Sequence, residues 1–259
     1  MASQDLLQQI SFGITVLAGL LLWLLEGFFP FFAGRARRGT HTLKNLSMAA
    51  LNMLILIPGS VLTAFALSVS ARFWPGIHLL GLPFALQTLV FILLIDLWMY
   101  IWHRLNHQMN FLWRFHAVHH SDPDMDVSTA WRFHFVEIFL SEMIRLPVLM
   151  LIGAEIQALL LYTILMTPVI AFHHSNLRLT EQLDALLRKI IPSPNMHRIH
   201  HSIFREEHDS NYGSLFSFWD RIFGSFKIKS GISAMKIGLD GEREPEAQAL
   251  PALLKRPFR

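Results

Sequence analysis

The chain has 259 residues, of which 53% are hydrophobic and only 16% are charged, and it contains no cysteine. A soluble domain usually carries about 25% charged residues, so this composition favours an integral membrane protein of one domain. The lack of cysteine excludes disulfides, iron–sulfur clusters and thiolate metal sites. The net charge of +3 comes without the basic stripe that would indicate a nucleic-acid partner.

Five apolar segments predict the membrane-embedded part of the chain. Residues 6–25 and 45–71 are uncharged, and each run can cross a hydrocarbon core of about 30 Å as a helix. Because no Lys or Arg precedes the first run, we expect a retained membrane anchor rather than a cleaved signal peptide. The last two segments are expected to form a hairpin, with Glu137, Glu142 and Arg145 interrupting its first leg. The predicted membrane helices are residues 6–29, 45–71, 79–102, 135–153 and 155–173.

The distribution of basic residues predicts the orientation of these helices. The loop between the first two segments contains Arg35, Arg37, Arg38 and Lys44. The positive-inside rule places this loop in the cytoplasm, so the third segment delivers His103 to the cytoplasmic face and the hairpin returns His174 to the same face. We expect one membrane domain in a bacterial inner membrane, with a cytoplasmic cap over residues 103–134 and 174–228 and a loosely packed tail over residues 229–259.

Three short strings contain eight of the 14 histidines: HRLNH begins at His103, HAVHH at His116 and HRIHH at His197. On a helix, residues three or four apart share a face, so each string is expected to aim its imidazoles at one point. Neutral imidazole is a common ligand for iron, zinc, copper and nickel. His41 and His78 lie outside every string and are expected at the membrane interface. The eight candidate ligands are His103, His107, His116, His119, His120, His197, His200 and His201.

Eight imidazoles exceed what one metal ion uses. A structural zinc takes four ligands and a catalytic zinc takes three, so two ions with about four histidines each would account for the set. Two metal sites with nitrogen ligands and open coordination positions suit iron and dioxygen chemistry. Residue type alone does not exclude zinc. A zinc-dependent membrane lipid hydrolase and a non-catalytic metal-binding membrane protein therefore remain alternatives.

Asp96 and Tyr100 precede the first histidine string at helical spacing and fall on the face that carries His103. A carboxylate inside a membrane segment is costly and is a candidate for a functional role. We expect Asp96 to accept an N–H from a ligand histidine or to help fix its orientation. The alternative is a hydrated carboxylate near the helix end, or one paired with Arg104 or Arg145.

The stretch from Asp96 to Phe226 resembles the fatty acid hydroxylase/sterol desaturase superfamily of integral-membrane, histidine-rich diiron enzymes. The resemblance is carried by the strings DLWMYIWHRLNH, RFHAVHHSD, WRFHFVE, FHHSN, MHRIHHS, NYG and WDRIFGSF. It implies an all-α integral-membrane helical bundle with about four or five membrane segments and a cytoplasmic helical cap that holds two iron ions. It also implies ligand roles for the eight histidines of the three strings and for His174.

Further residues receive supporting roles from the same resemblance. His134 matches an R-x-H motif of the superfamily, although Phe135 stands where the superfamily usually has proline. His134 and Glu137 are assigned a place near the metals, with simple packing as the alternative. His173 is assigned a similar place beside His174.

The predicted function is that of a membrane-bound diiron oxygenase or oxidase. It would use O2 as co-substrate to hydroxylate or desaturate a C–H bond of a sterol, fatty acyl or sphingolipid substrate that enters from the bilayer. The chain contains no string typical of a flavin, haem or dinucleotide domain. Electrons are therefore expected from a separate donor, either cytochrome b5-like or a ferredoxin with its reductase.

Overall fold

The computed structural model of the protein describes residues 4–34 and 37–259. Within these ranges every regular element is a helix and no strand is formed, which confirms the predicted all-α class. Four helices are long and apolar enough to cross a membrane. They are α1 (Gln4–Phe28), α2 (Arg38–Ser70), α3 (Phe84–Gln108) and α6 (Ile156–His174), whereas the short helix α4 covers Asn110–His120 and α5 covers Phe135–Ile152.

The fifth predicted membrane segment is a helix, but it is not among those four. Helix α5 is as apolar as the others on average, but its 18 residues contain three charged side chains, those of Glu137, Glu142 and Arg145, and this sets it apart from the four. It packs against α2 and ends at Gly153, whose φ of 74° is easily adopted by glycine and allows the chain to turn into α6. The two helices are consecutive, as in the predicted hairpin, but they pack mainly against other partners, α5 against α2 and α6 against α1.

The third membrane helix begins and ends later than predicted. Residues 76–80 form a short 3-10 helix that Gly81 closes with a φ of 60°, so α3 begins only at Phe84. Its extension to Gln108 places His103 and His107 on the same helix. Met109 then adopts an extended backbone, with φ −96° and ψ 115°. This single residue redirects the chain so that α4 brings its histidines back against those of α3.

The core of the bundle lies where α2, α3, α5 and α6 meet. Leu67, Phe91, Ile95, Leu149 and Tyr162 are buried there in one cluster. Large apolar side chains on the outer faces remain exposed, among them Phe12 at 74% and Leu54 at 72%. Such an outer surface is what a lipid bilayer would cover, as expected for four candidate membrane helices.

The cap and tail are built from α4 and from the short helices that follow α6. These are α7 (Glu181–Leu187), α8 (Pro194–His200), α9 (Arg205–His208), α10 (Phe218–Ile222) and α11 (Leu250–Lys255). Ser193 caps α8 through its hydroxyl, which accepts the Met196 N–H, and it donates to Asp184 of α7 at 2.8 Å. Helices α7 and α8 are thereby fixed together.

The tail is packed, so the prediction of a loose tail is wrong. Leu253 of α11 is 1% exposed and contacts Met48 and Val118. Gln248 accepts a hydrogen bond from Arg132 at 2.7 Å. The apolar stretch of α11 spans only six residues, which is too short to give a clear helical period in the sequence.

The basic loop that sets the predicted orientation is only partly described, since Arg35 lies outside the described residues. Arg38 turns inward rather than remaining exposed. Its Nη2 atom lies 3.0 Å from Oε1 of Glu26, whose side chain is buried near the end of α1. This ion pair joins α1 to α2.

Candidate metal centre

The structure brings the nine predicted ligands together in two adjoining groups. In each group, one ring nitrogen from every member lies within 4.8 Å of those of the other members. All nine residues are buried except His103, which is partly buried. The five-histidine group consists of His103, His107, His116, His120 and His200, and the four-histidine group consists of His119, His174, His197 and His201.

The expectation that each H-x-x-H-H string serves a single point is wrong. In α4, His116 and His120 join the five-histidine group, whereas His119 joins the other. Adjacent residues on a helix point about 100° apart, so one string can face two neighbouring sites. The string at α8 is also divided, but only one of its histidines, His200, joins the five-histidine group. His197 and His201 join the four-histidine group.

Close approach of ring nitrogens marks the four-histidine group. Nε2 of His174 lies 3.1 Å from Nε2 of His119 and 3.0 Å from Nε2 of His197. Imidazole nitrogens lie about 2.0–2.1 Å from a divalent ion such as zinc, so two ligands at right angles are about 3 Å apart. The observed spacing matches that of neighbouring ligands on one ion, and in the absence of an ion it is also that of hydrogen bonds between the rings. Both ring nitrogens of His201 are buried and without a hydrogen-bond partner in the described ranges.

The five-histidine group has oxygen acceptors behind its rings. Nδ1 of His103 lies 2.9 Å from the Tyr212 carbonyl, and Nδ1 of His200 lies 2.6 Å from the Ser210 carbonyl. Nδ1 of His116 lies 2.7 Å from Oε1 of Glu137. If Nδ1 donates its proton to these oxygens, the lone pair of Nε2 faces the centre of the group, as in metal-ligating histidines.

The opposite ring nitrogens show that this donor set fits a metal ion. Nε2 of His107, His116 and His200 is buried and has no hydrogen-bond partner among the residues that the structure describes. A buried polar atom without a partner is costly, so several such atoms aimed at one point are typical of a cation-binding site. Nitrogen ligands of this kind suit iron, zinc or copper rather than magnesium or calcium, which prefer oxygen.

The cap histidines are held in the neutral state that ligates metals. Burial lowers the pKa of His120, His200 and His201 well below the usual value for histidine, and repulsion from neighbouring imidazoles adds to the effect. The pKa of His119 is lowered by the same two causes. Near neutral pH these rings therefore carry no charge and keep a free lone pair.

Asp96 does not bond a histidine, contrary to the prediction. It is fully buried, and its oxygens accept four hydrogen bonds at 2.8–3.1 Å. The donors are the Tyr162 hydroxyl, the Leu215 and Phe216 amides and the Trp219 indole. Asp96 thus anchors the segment after Tyr212, whose carbonyl accepts from His103, and its effect on the metal centre is indirect.

Tyr100 and His134 also belong to neither histidine group. The Tyr100 hydroxyl lies 2.8 Å from Oγ of Ser225, and its ring packs on Tyr212 with centroids 6.0 Å apart. His134 caps α5 by accepting the Val136 N–H at Nδ1, and its Nε2 lies 3.2 Å from the Leu254 carbonyl. The structure therefore gives His134 a role in packing the tail, while Glu137, one turn later, contacts a candidate ligand directly.

Three histidines outside the strings have partners that the sequence did not indicate. His41 pairs with two carboxylates: Nε2 lies 2.8 Å from Oδ1 of Asp122, and Nδ1 lies 3.0 Å from Oδ2 of Asp126. His208 stacks on Trp113 with centroids 4.9 Å apart, beside the five-histidine group. His173 is buried next to His197, with ring centroids 4.0 Å apart.

A neighbouring residue, Asp209, was missed because no motif contains it. Its Oδ1 atom lies 3.3 Å from Nδ1 of His107. Together with His208, these residues form a third group of possible ligands, but Asp209 is half-exposed and shares His107 with the five-histidine group. We interpret Asp209 as an acceptor behind His107.

A cavity of about 220 Å³ adjoins both histidine groups. Five of the candidate ligands line it on one side, and Glu142 and Arg145 of α5 line it elsewhere. Between them the wall includes apolar side chains such as Trp102, Phe133 and Ile138. The five ligands are His103, His116, His119, His174 and His197.

Comparison with known proteins places these observations in a family. Residues 88–225 match the sequence model described as fatty acid hydroxylase. Ornithine lipid hydroxylase of Rhizobium tropici is 33% identical over 195 residues, which cover 74% of this chain and 55% of that protein. Alkylglycerol monooxygenase of Homo sapiens is 29% identical over 212 residues, which cover 80% of this chain and 44% of that protein.

A third relative is the cholesterol 25-hydroxylase-like protein of Danio rerio, which is 28% identical over 192 residues, or 65% of this chain and 68% of that protein. The chain spans about half the length of the first two relatives. No solved structure matches it. The matched residues include all nine candidate ligands, so the family resemblance and the histidine groups coincide in the chain.

Proposed function

The chain belongs to the fatty acid hydroxylase family, and on this premise we propose that it is a membrane-bound diiron oxygenase that hydroxylates a C–H bond of a lipid. The observation that carries the proposal is the gathering of nine imidazoles into two adjoining groups with unpartnered ring nitrogens. Two relatives are named as a lipid hydroxylase and a monooxygenase, which favours hydroxylation over desaturation.

Two ions account for the donor set better than one. The five-histidine group would hold one iron ion and the four-histidine group the other, since no single ion accepts nine imidazoles. When bound, the iron pair supplies the reductive activation of O2 that attack on an unactivated C–H bond requires. The ligand identities are His103, His107, His116, His119, His120, His174, His197, His200 and His201.

The remaining residues of the site orient and shield these ligands. Glu137 and the carbonyls of Ser210 and Tyr212 accept the Nδ1 protons and so direct Nε2 inward. Asp96 holds the segment that provides the Tyr212 carbonyl. The apolar side of the cavity, with Trp102 and Phe133, would keep water away from the reacting carbon.

The substrate and the electron donor come from outside the chain in this proposal. Exposed apolar side chains on the candidate membrane helices support a lipid that reaches the cavity from the bilayer. The basic residues Arg37 and Lys44 near the start of α2 support a cytoplasmic location for the cap, in the inner membrane if the host is a bacterium. A separate one-electron donor, cytochrome b5-like or a ferredoxin, would dock on the cap.

Metal and oxygen analysis tests the proposal. Protein purified in detergent is analysed by inductively coupled plasma mass spectrometry, and about two iron ions per chain are expected for the two groups. Membranes containing the protein are then given a reductant and ¹⁸O2, and a lipid that gains one labelled oxygen atom is expected. A protein that contains only zinc and consumes no oxygen would contradict the proposal and favour the lipid hydrolase alternative.

A further inference from the structure

Glu142 and Arg145 form a partly buried ion pair in the helical bundle, and neither residue belongs to the histidine groups. Nη2 of Arg145 lies 2.6 Å and 2.7 Å from the two carboxylate oxygens of Glu142. The side chains are only 9% and 23% exposed, and both line the cavity that adjoins the histidine groups. Charged residues among membrane helices are costly, and by default they indicate a functional site.

We propose that Glu142 and Arg145 recognise an uncharged oxygen-bearing group of the lipid substrate, such as a hydroxyl, ether, ester or amide oxygen. The inference rests on the proposed function, because it requires a lipid in the cavity. It specifies which part of the lipid the protein recognises and how far that part lies from the carbon that is hydroxylated.

The position of the pair along α5 sets this distance. Glu137, Ser141 and Arg145 follow one another at four-residue intervals, so they share one face of the helix. All three line the cavity, and Glu137 also contacts His116. With a rise of 1.5 Å per residue, eight residues separate the two ends of this polar stripe by about 12 Å. A group held at Arg145 therefore lies at most a short length of chain from the histidines.

Arg145 retains hydrogen-bond donors for a ligand. In the described ranges its hydrogen bonds are made by Nη2 to Glu142, which leaves Nε and Nη1 without a partner. Both oxygens of Glu142 already accept from Arg145, so the guanidinium is the part of the pair that can bind something further. It requires an acceptor atom, which a plain hydrocarbon does not provide.

The charge balance of the pair favours an uncharged acceptor. Glu142 already neutralises Arg145, so an added carboxylate or phosphate would leave a net negative charge at a poorly hydrated site. A neutral oxygen can accept an N–H without this cost. Gly59 of α2 lies against Glu142, and a Cβ atom added to this glycine would lie 3.6 Å from Cγ of Glu142. The α2 helix therefore leaves little room for hydration water on that side of the pair.

The size of the cavity limits how much of the lipid it encloses. Its volume of about 220 Å³ is small for a whole lipid, so only part of the molecule can lie inside it. The enclosed part would run from the neutral polar group to the carbon beside the histidines. The inferred substrate is thus an amphiphile that is hydroxylated close to its polar end, and the rest of its chain remains in the bilayer.

A binding experiment in phosphatidylcholine nanodiscs tests the inference without turnover. Radiolabelled 1-hexadecanol, palmitate and hexadecane have the same chain length but carry a neutral oxygen, an anion and no polar group. The wild-type protein is expected to bind hexadecanol about tenfold or more tightly than hexadecane, as a hydrogen bond to a charged donor allows. Arg145→Gln should abolish most of this preference and leave hexadecane binding unchanged.

Two further variants separate recognition from folding. If Arg145→Gln alone does not fold because Glu142 is left unpaired, the double variant Glu142→Gln/Arg145→Gln removes both charges and should lose the same preference. Arg256→Gln is the matched control, since Arg256 forms a half-buried pair with Glu242 that does not line the cavity. It should keep the hexadecanol preference of the wild type.

The results separate recognition of the lipid by Arg145 from a structural role for the ion pair. Unchanged hexadecanol preference in the Arg145 variants would overturn the inference and assign the pair a structural role. Stronger binding of palmitate than of hexadecanol would overturn the uncharged class of ligand. If the protein prefers hexadecanol to hexadecane through Arg145 but never oxidises a lipid, only the proposed function is contradicted. If it oxidises a lipid and Arg145→Gln leaves the hexadecanol preference unchanged, only this inference is contradicted.

Discussion

Two buried polar regions lie on either side of α4, and they differ in how their hydrogen bonds are satisfied. The first is the pair of histidine groups. The second, the Arg132 network, is centred on Arg132 and Asp122 and includes His41, Asn45 and Gln248. Most of the buried side-chain atoms that lack a partner in the described part of the chain are histidine ring nitrogens, and none belongs to the Arg132 network.

The Arg132 network is complete without any ligand. Arg132 donates to the Val118 carbonyl, the Ser121 hydroxyl, Asn45 and Gln248 at 2.7–3.1 Å. Burial alone would raise the pKa of the Asp122 carboxyl, but the positive charges of His41 and then Arg132, with hydrogen bonds from His41 and Thr129, hold it well below its usual range. Arg132 is fully buried yet balanced, so we interpret the network as architecture that joins α2, α4 and the tail.

Unpaired buried atoms distinguish a polar cluster that is suited to bind a ligand from one that stabilises the fold. Where every donor and acceptor is paired within the protein, the cluster stabilises the fold. Where several acceptors are left facing one another, the fold retains a cost that a ligand would remove. Substitutions should therefore reduce metal binding in the histidine groups but reduce stability in the Arg132 network.

The largest effect is expected from removing one ligand of each histidine group. His119→Ala and His200→Ala should each abolish bound iron and lipid oxidation, because each variant opens the coordination of one ion in an adjoining pair. Metal content per chain and ¹⁸O incorporation measure the loss. His78→Ala is the control, since His78 is partly exposed and lies outside both groups. Iron retained at the wild-type level in either ligand variant would contradict the assignment.

Arg132→Met should destabilise the protein while leaving the metal sites of folded molecules intact. The substitution leaves the buried acceptors at Val118, Asn45 and Gln248 without their donor, and each buried polar atom left unpaired costs about 1–3 kcal/mol. The free energy of unfolding in detergent and the iron content of the folded fraction are both measured. Arg178→Met, at an exposed side chain, should change neither. A stable Arg132→Met protein without iron would reverse the roles of the two regions.

A smaller effect is expected behind a ligand. Glu137→Ala removes the oxygen that lies 2.7 Å from Nδ1 of His116, so iron affinity should fall about ten- to hundredfold while the nine ligands remain. Glu137→Gln should lose less, because its amide oxygen can still accept the proton. Competition with a chelator measures the affinity of both variants. Equal affinity of Glu137→Ala and wild type would show that the acceptor does not orient His116.

The candidate ligands could be predicted from the sequence, but their division into two groups could not. Helical spacing indicates which imidazoles share a face, and the family strings added His174, which stands apart from the other eight. The partners of Asp96 were missed because they lie about 120 residues further along the chain, at Leu215 and Phe216. Local periodicity contains no information about such long-range pairing.

The same limit explains why the partners of His41 and the packing of the tail were not predicted. His41 precedes its partner Asp122 by 81 residues, and α11 docks on residues of α2 and α4. A lone histidine near a membrane segment and a short mixed helix have no sequence pattern that predicts such contacts. The apolar lengths of the four candidate membrane helices, in contrast, are a local property, and the sequence predicted all four.

The smallest effect is expected from a substitution of Asp209. This residue is a partly exposed acceptor behind a ligand, whereas Glu137 is a buried one. The Oδ1 atom of Asp209 lies 3.3 Å from Nδ1 of His107, and its side chain is 31% exposed. Water can replace part of this contact and solvent screens the charge, so Asp209→Asn should lower iron affinity by at most about fivefold. The chelator competition used for Glu137 measures the difference, at both low and high salt. If Asp209→Asn weakened iron binding as strongly as Glu137→Ala, solvent exposure would not separate acceptors that orient a ligand from those that only neighbour it.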